Sequence, residues 1–384
     1  MNYRLLIPSM IALVITASPL ANAQFFGDPP DETHPWAKHD HNRPQPPRVE
    51  PAKKIGDPPS DAIVLFDGTE ESFKKNWSHE RKNRKTDWLV VDGALQSMRG
   101  AGYIRTKSEF GDCQLHVEWS APTKAQGTGQ GRGNSGVFLM GEAEVQVLDN
   151  YNNPTYADGT AGALYGVMPP MVNPLRSPSE WQSYDIVFRR PIVKDGELVD
   201  EGSITVFVNG VLVQDSVPLE GGGGYRKRTH PKDLGDVGPL RLQDHGNPVQ
   251  FRNIWYREIR KRPSDGGTDG RLSKEATAAK RAENAIRMAE AAKELEGKEK
   301  MHKLLESLVY QNRPDVYMEA LEMTNAFVAE IKAAPDKVDI RKKDVVDAYR
   351  AVKYMSDHKL LPKPMPALQE LEQIMVDKDW KKGK

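Results

Sequence analysis

Gly141-Glu-Ala-Glu-Val-Gln-Val-Leu-Asp149 alternates polar and apolar residues from Glu142 to Val147. In an extended strand successive side chains point to opposite faces, which puts Glu142, Glu144 and Gln146 on one side and Ala143, Val145 and Val147 on the other. The second face suits a buried core and the first a polar surface. Taken alone, the stretch also fits an ordinary strand with one side in water.

The same period of two extends from Asp61 to Arg260. Candidate strands fall at 63–66, 88–91, 94–97, 103–106, 113–120, 136–140, 144–148, 182–189, 203–208, 211–217, 240–243 and 249–257. Val91-Asp92-Gly93-Ala94 and Val208-Asn209-Gly210-Val211 mark tight hairpins, because Asp-Gly and Asn-Gly accept positive φ angles. Many short strands with no helix between them predict a mainly β fold, a two-sheet sandwich. Leu240-Arg-Leu-Gln-Asp-His-Gly246 repeats the amphipathic pattern, setting Arg241, Gln243 and His245 opposite Leu240 and Leu242. His245 has the side chain whose ordinary pKa lies closest to neutrality. Arg252 and Asn253 interrupt the apolar run Val249–Tyr256 and need partners if buried.

Outside this region the pattern changes. Residues 1–23 carry Arg4, an apolar stretch from Leu5 to Leu20 and Ala21-Asn22-Ala23, the pattern of a signal peptide cleaved before Gln24, so the chain is expected to be exported to the periplasm or secreted. No run is long enough for stable membrane insertion. Residues 24–60 are rich in proline and charge and repeat Gly-Asp-Pro-Pro at Gly27–Pro30 and Gly56–Pro59, which predicts an extended linker with His34, His39 and His41 as bystanders. Residues 261–272 read as a flexible linker. From 273 to 384 the period becomes helical, with Ala278, Ala282, Ala285, Ala289 and Ala292 forming a stripe and predicted helices at 273–297, 299–311, 314–334, 341–356 and 366–378. This α-helical C-terminal region holds no catalytic constellation; a protein partner for it and an inert packing role are both open.

The 54 basic and 54 acidic residues balance, so no net charge draws the chain to nucleic acid or anionic lipid. One cysteine, Cys113, excludes an intramolecular disulfide and reads as a buried, inert thiol. Gly131-Arg-Gly-Asn-Ser-Gly136 matches a dinucleotide fingerprint in letters only, since a strand rather than a helix follows it. Gly221–Gly224 reads as a flexible loop, and Tyr225–His230 after it as a solvated turn rather than an anion site.

Eight short motifs carry a resemblance. Leu65–Gly68, Gly133–Phe138, Glu144–Asp149, Gly162–Gly166, Glu180–Asp185, Phe207–Gly210, Leu242–Gly246 and Phe251–Ile254 occur in the order of the 3-keto-disaccharide hydrolase domain family, which this region resembles. The resemblance implies a concanavalin-like jelly-roll β-sandwich over 61–260 whose concave sheet holds a carbohydrate substrate. Carried over residue by residue, it makes Glu144 and His245 the catalytic candidates, with Gln146, Gln243, Arg252, Asn253, Asn134, Ser135 and Tyr165 binding substrate. The glycine-rich insertion Gln126–Arg132 departs from the family's habit and leaves loop geometry open.

A ketone at C3 acidifies the hydrogen on C2, so one base can expel the C1 substituent by β-elimination, and added water completes a net hydrolysis of a 3-keto-glycoside. That route needs one base, one acid and a donor or cation at the enolate oxygen. Glu144 and His245 fit the first two in either order; Arg252, Gln146 or a divalent metal ion would serve the third, and no cofactor is certain. Two-carboxylate glycoside hydrolysis lacks an evident pair, because Glu144 and Asp149 point to opposite faces of an unbroken strand. A lectin-like module that binds sugar without turnover is the competing class.

Overall fold

Leu115, Val117 and Trp119 on one strand and Tyr184, Ile186 and Phe188 on its neighbour are all at most 1% exposed. Fully burying each such side chain contributes about 1.5–3 kcal/mol, which is why this alternation dictates a sheet with one dry face. The computed structural model describes residues 25–124 and 126–380, so the expected signal peptide lies outside the described residues. The chain forms two compact units, Pro46–Gly267 and the residues up to Gln45 together with Thr268–Lys384.

In the first unit an antiparallel sheet runs in the order Val211–Pro218, Ser203–Val208, Gln182–Arg189, Cys113–Ser120, Gln250–Glu258, Ala94–Gln96, Leu89–Val91, with Ile63–Phe66 joined to Gln250–Glu258. A second sheet runs Trp77–His79, Ile104–Thr106, Arg241–Leu242, Ser135–Leu139, Ala143–Val147. One hydrophobic cluster joins the two, with Val117, Tyr184 and Phe251 from the larger sheet against Ile104, Val137, Val145 and Leu242 from the smaller. This is the jelly-roll sandwich of the expected class. Asp92 and Asn209 turn their hairpins at φ of 50° and 52°. Cys113 is fully buried, which pushes its thiol far above the ordinary range.

One α-helix and three strands escape the sequence reading. Helix Glu70–Asn76 is opened by Thr69, whose hydroxyl accepts the Ser72 amide at 3.1 Å, a cap that stabilises even a short helix. Strand Trp77–His79 follows it, and Ile192–Lys194 pairs with Glu197–Asp200 as a separate hairpin.

The second unit has its own core. Helices Lys274–Lys293, Gly297–Tyr310, Pro314–Ala333, Lys342–Asp357 and Ala367–Asp377 bury Leu304, Leu305, Ala320, Ala348, Val352 and Leu371 together. Ala285, Ala289 and Ala292 of the alanine stripe are buried, whereas Ala278 is exposed. Among the described residues no helix is long and apolar enough to cross a membrane.

The stretch expected as a linker over 24–60 divides between the units. Phe26, 1% exposed, stacks on His41 and meets the Tyr354 ring edge-on, and the Tyr354 hydroxyl donates to Gly27 O at 2.8 Å. His41 also reaches Glu306 at 2.9 Å. Burial would raise the Glu306 carboxyl, but His41 and Lys303 hold it at about 2. Farther along, Gly56 O accepts from Asn253 Nδ2 at 2.8 Å and Trp255 Nε1 at 2.9 Å, strapping that segment to the larger sheet. The expected linker at 261–272 is also tied down, by Arg190 to Asp265 at 2.7 Å in the first unit and by a buried Leu272 in the second. A few aromatic and ionic anchors outweigh the composition that argued for a free chain.

Candidate active site

The smaller sheet turns alternate residues away from the core. Ala143, Val145 and Val147 point inward, which leaves Glu144 and Gln146 outward; Val137 and Leu139 likewise leave Gly136 and Phe138. Register places Phe138 opposite Glu144, Gly136 opposite Gln146 and Arg241 opposite Phe138. Tyr103 and Gln243 flank the buried Ile104 and Leu242 on the next two strands. These outward residues form the floor of a cavity of about 480 Å³.

Of the residues expected from the sequence, the cavity gathers Glu144, His245, Gln146, Gln243, Asn134 and Tyr165. Tyr103, Gln130, Phe138, Tyr156, Gly224 and Tyr225 complete it and were not foreseen. Tyr103 was legible in principle, since Tyr103-Ile104-Arg105 alternates as its neighbours do. Gln130 lies in the unfamiliar insertion, where its Nε2 donates to Gly159 O at 2.8 Å and fixes the loop.

Glu144 is the only carboxylate among the residues lining this cavity. Burial pushes its carboxyl up to about 8, and the Arg241 guanidinium only partly offsets that. Glu142 occupies the preceding turn and pairs with Lys232 at 2.7 Å, while Asp149 is buried against Arg132 at 2.9 Å. Neither lines the cavity.

Two buried acceptors of the cavity lack partners among the described residues, Gln146 Oε1 and Gln243 Oε1. Gln146 Nε2 faces the carbonyls of Gln130 at 3.0 Å and Gly159 at 3.2 Å, which fixes the amide's orientation and leaves Oε1 for an outside donor. Gln243 Nε2 donates to the Tyr103 hydroxyl at 2.5 Å, and the hydroxyls of Tyr156 and Tyr165 lie 2.9 Å apart. Burial first, then its tyrosine neighbour, keeps Tyr165 protonated far past neutrality; burial does the same for Tyr103. The cavity thus offers a basic carboxylate, unfilled acceptors for hydroxyl groups, and phenolic donors.

The edge strand Ala143–Val147 is closed by loops. Tyr165 N donates to Glu144 O at 3.0 Å, Gln146 N to Ala163 O at 3.0 Å, and Glu144 N to Gly222 O at 3.3 Å. Gly223 sits at φ +96°, and a Cβ there would stand 1.9 Å from Tyr165 O. The glycine run is therefore a close-packed seam rather than the flexible loop expected, and it delivers Tyr225 to the cavity.

Three expected residues lie elsewhere. Ser135 is fully buried and donates to Gln243 O at 2.6 Å, tying two strands together. Arg252 and Asn253 belong to the larger sheet, where the register slips after Arg252 and Asn253 adopts φ of 47°. Both grip Glu118, Arg252 at 2.6 Å and Asn253 at 2.9 Å, and Arg252 lies 4.0 Å over the Trp181 ring. His116, 2% exposed, joins them between Asp185 at 2.7 Å and Glu118 at 3.6 Å. Burial would lower His116, but these two carboxylates lift it to about 9; burial would raise Glu118, but His116, Asn253 and Arg252 hold it at about 2. This network partners the polar interruption in an apolar strand and takes Arg252 away from the cavity.

Among the described residues no three His, Cys, Asp or Glu side chains gather to hold a metal ion.

The family model of the 3-keto-alpha-glucoside-1,2-lyase-like domain matches residues 61–257, about half of the chain. The chain belongs to this family. Within the lyase-like domain lie Glu144 and every other residue of the cavity. A candidate glycosyl hydrolase from Parabacteroides distasonis is 42% identical over 57% of this chain and 94% of its own, with a TM-score of 0.53. A second from the same organism is 18% identical over 55% of this chain and 100% of its own, with a TM-score of 0.40. No curated protein matches the chain. The lyase-like family is carbohydrate-active and glycosyl-hydrolase-like, and its motifs cover neither the N-terminal segment nor the helices.

Proposed function

We propose that this protein is an exported enzyme that cleaves 3-keto-glycosides by elimination, with Glu144 as the base. The observation that carries the reading is the lone carboxyl of the cavity, raised to about 8 by burial. A carboxylate that binds its proton this tightly is a stronger base once ionised, which suits removal of a weakly acidic C2 hydrogen. Paired-carboxylate hydrolysis would need a second carboxyl across the scissile bond, and the lining residues supply none.

Glu144 takes the C2 proton, and the electron pair moves onto the C3 oxygen. Hydroxyl protons of Tyr103 and the Tyr156–Tyr165 pair are the donors for that oxyanion, in place of the guanidinium of Arg252. The enolate then expels the C1 oxygen substituent, which takes a proton from His245 at the exposed mouth. Water then adds across the C1–C2 double bond, its hydroxyl at C1 and the proton held by Glu144 back at C2, while the second water proton returns to His245; the product is the free 3-keto sugar. Gln146 Oε1 and Gln243 Oε1 accept ring hydroxyls and hold the sugar across the floor. Export rests on the signal-peptide pattern of residues 1–23.

The test is a 3-keto-glucoside deuterated at C2. A primary isotope effect, with loss of turnover in Glu144→Gln, supports elimination. Equal cleavage of unmodified glycosides without an isotope effect would turn the reading to conventional hydrolysis, and tight binding with no release would turn it to a lectin-like module.

A further inference from the structure

Beside the Glu144 cavity lies a second of about 460 Å³, and the two share Tyr156, Tyr165, Gly224 and Tyr225 as a common wall. Their chemistry differs. The second is lined by Arg226, Lys227 and Arg228 against a single carboxylate, Asp158. Among the described residues none of these three cations pairs with a carboxylate; Arg226 instead lies 5.1 Å over the Tyr225 ring. Consecutive like charges repel one another, and an unneutralised group at a concave surface attracts counter-ions. The segment is not a loose turn, because Gly221 to Gly223 press its base against His230, Glu142 and Tyr165 backbone.

The geometry points to an anion-binding subsite next to the catalytic cavity, in which Arg226, Lys227 and Arg228 receive a carboxylate, sulfonate or phosphate carried by the group that leaves from C1. This rests on the elimination reading: a simple 3-keto-glycoside has one bulky part besides the reacting ring, and the shared tyrosine wall is where the two parts would meet. Arginine forks recognise planar and tetrahedral oxyanions through paired hydrogen bonds, and lysine adds a point charge. The subsite therefore selects the leaving group without touching the reacting atoms.

The experiment measures equilibrium binding by calorimetry to the Glu144→Gln protein, whose turnover is slowed enough for the probes to be bound intact. The probes are 3-keto-glucosides of 4-hydroxybenzamide, 4-hydroxybenzoate, 4-hydroxybenzenesulfonate and 4-hydroxyphenyl phosphate, as both anomers. The three anionic probes separate carboxylate from sulfonate and phosphate, and the neutral amide is the folding control. At least one anionic probe should bind about tenfold more tightly than the amide at low salt, the combined effect of several exposed ion pairs, and the advantage should shrink at high salt. Adding Arg226→Gln, Lys227→Gln and Arg228→Gln should erase the advantage. Equal binding of amide and anions by the parent protein overturns the subsite and leaves the catalytic reading standing, as does an anion preference that survives the triple change. Failure to bind any of the probes would sink the 3-keto-glycoside reading and the subsite with it.

Discussion

A Cβ on Gly136 would stand 2.4 Å from Glu144 Oε1 and 2.7 Å from the Phe138 ring. Gly136 is outside the positive-φ residues, so an L side chain suits its backbone and only space forbids one. Gly136→Ala should therefore keep the fold, costing about 1–3 kcal/mol from overpacking, while displacing the carboxylate. Misplacing a reacting group by an ångström lowers kcat/KM about a hundredfold. Steady-state kinetics beside a thermal melt checks this; wild-type kinetics in the alanine variant would show that the notch has no part in placing Glu144.

Glu144→Gln should lower kcat by about 10²–10⁴, the range for a positioned general base. With the carboxyl at about 8, the ionised and active form accumulates as pH rises. The kcat/KM profile of the wild type should climb through that value and then level. A flat profile from neutrality upward would remove Glu144 from the proton transfer.

The same carboxyl makes a stability prediction of determinate sign. Its folded value of about 8 lies above the ordinary 4.5, so its contribution is fully present below 4.5 and is lost as pH rises through 8. Glu144→Gln should consequently be more stable than wild type in alkaline solution, by on the order of 2 kcal/mol for a shift of this size in a partly solvated group. Urea unfolding at acid and alkaline pH reads it directly. Equal midpoints at both would mean that the site stores no such cost.

His116 predicts a pH dependence on the other sheet. Its folded value of about 9 exceeds the ordinary 6.5, so its stabilisation is complete below 6.5 and disappears as pH rises through 9. His116→Ala leaves Glu118 and Asp185 without their shared cation and should destabilise by about 3 kcal/mol at neutral pH. Turnover per folded molecule should stay at the wild-type level, which denaturation and active-site titration together would reveal. A selective loss of kcat would bring this network into the chemistry.

Gly223→Ala should be worse tolerated than Gly136→Ala. It combines a φ of +96° with backbone 1.9 Å away, and neither can yield without moving Tyr165. Strain of this kind costs about 1–3 kcal/mol before the clash is counted, and sugar affinity should fall with it. Unchanged melting and unchanged sugar binding would show that the seam is looser than its geometry.

Alternation made Glu144, Gln146 and Gln243 legible, because a period of two states which face a side chain takes whatever the rest of the chain does. Sheet membership is a different matter. Arg252 and Asn253 sit in a run that looks like the others, and only long-range pairing assigns it to the sheet opposite Glu144. The bulge that aims Asn253 at Glu118 leaves no mark in local sequence. Tyr225 stayed hidden for a related reason: four glycines describe a flexible chain equally well as a tightly packed one, and what they approach lies about 60 to 80 residues earlier at Tyr165 and Glu142. Phe26 was masked by the prolines and charges around it, although one aromatic ring suffices to anchor a segment.

The packing of Phe26 sets an order of events. The Tyr354 hydroxyl that holds Gly27 is 327 residues away, so one of the first folded segments to be synthesised waits for one of the last. Meanwhile local hairpins of the sandwich, such as Ser135–Leu139 with Ala143–Val147, are free to condense as they emerge, and the larger sheet closes once Gln250–Glu258 arrives to pair with Cys113–Ser120. A chain interrupted after the sandwich would carry a finished β-sandwich unit and a bare Phe25-Phe26 pair. Completion of the helices is what hides those rings, which makes their exposure a marker of unfinished molecules.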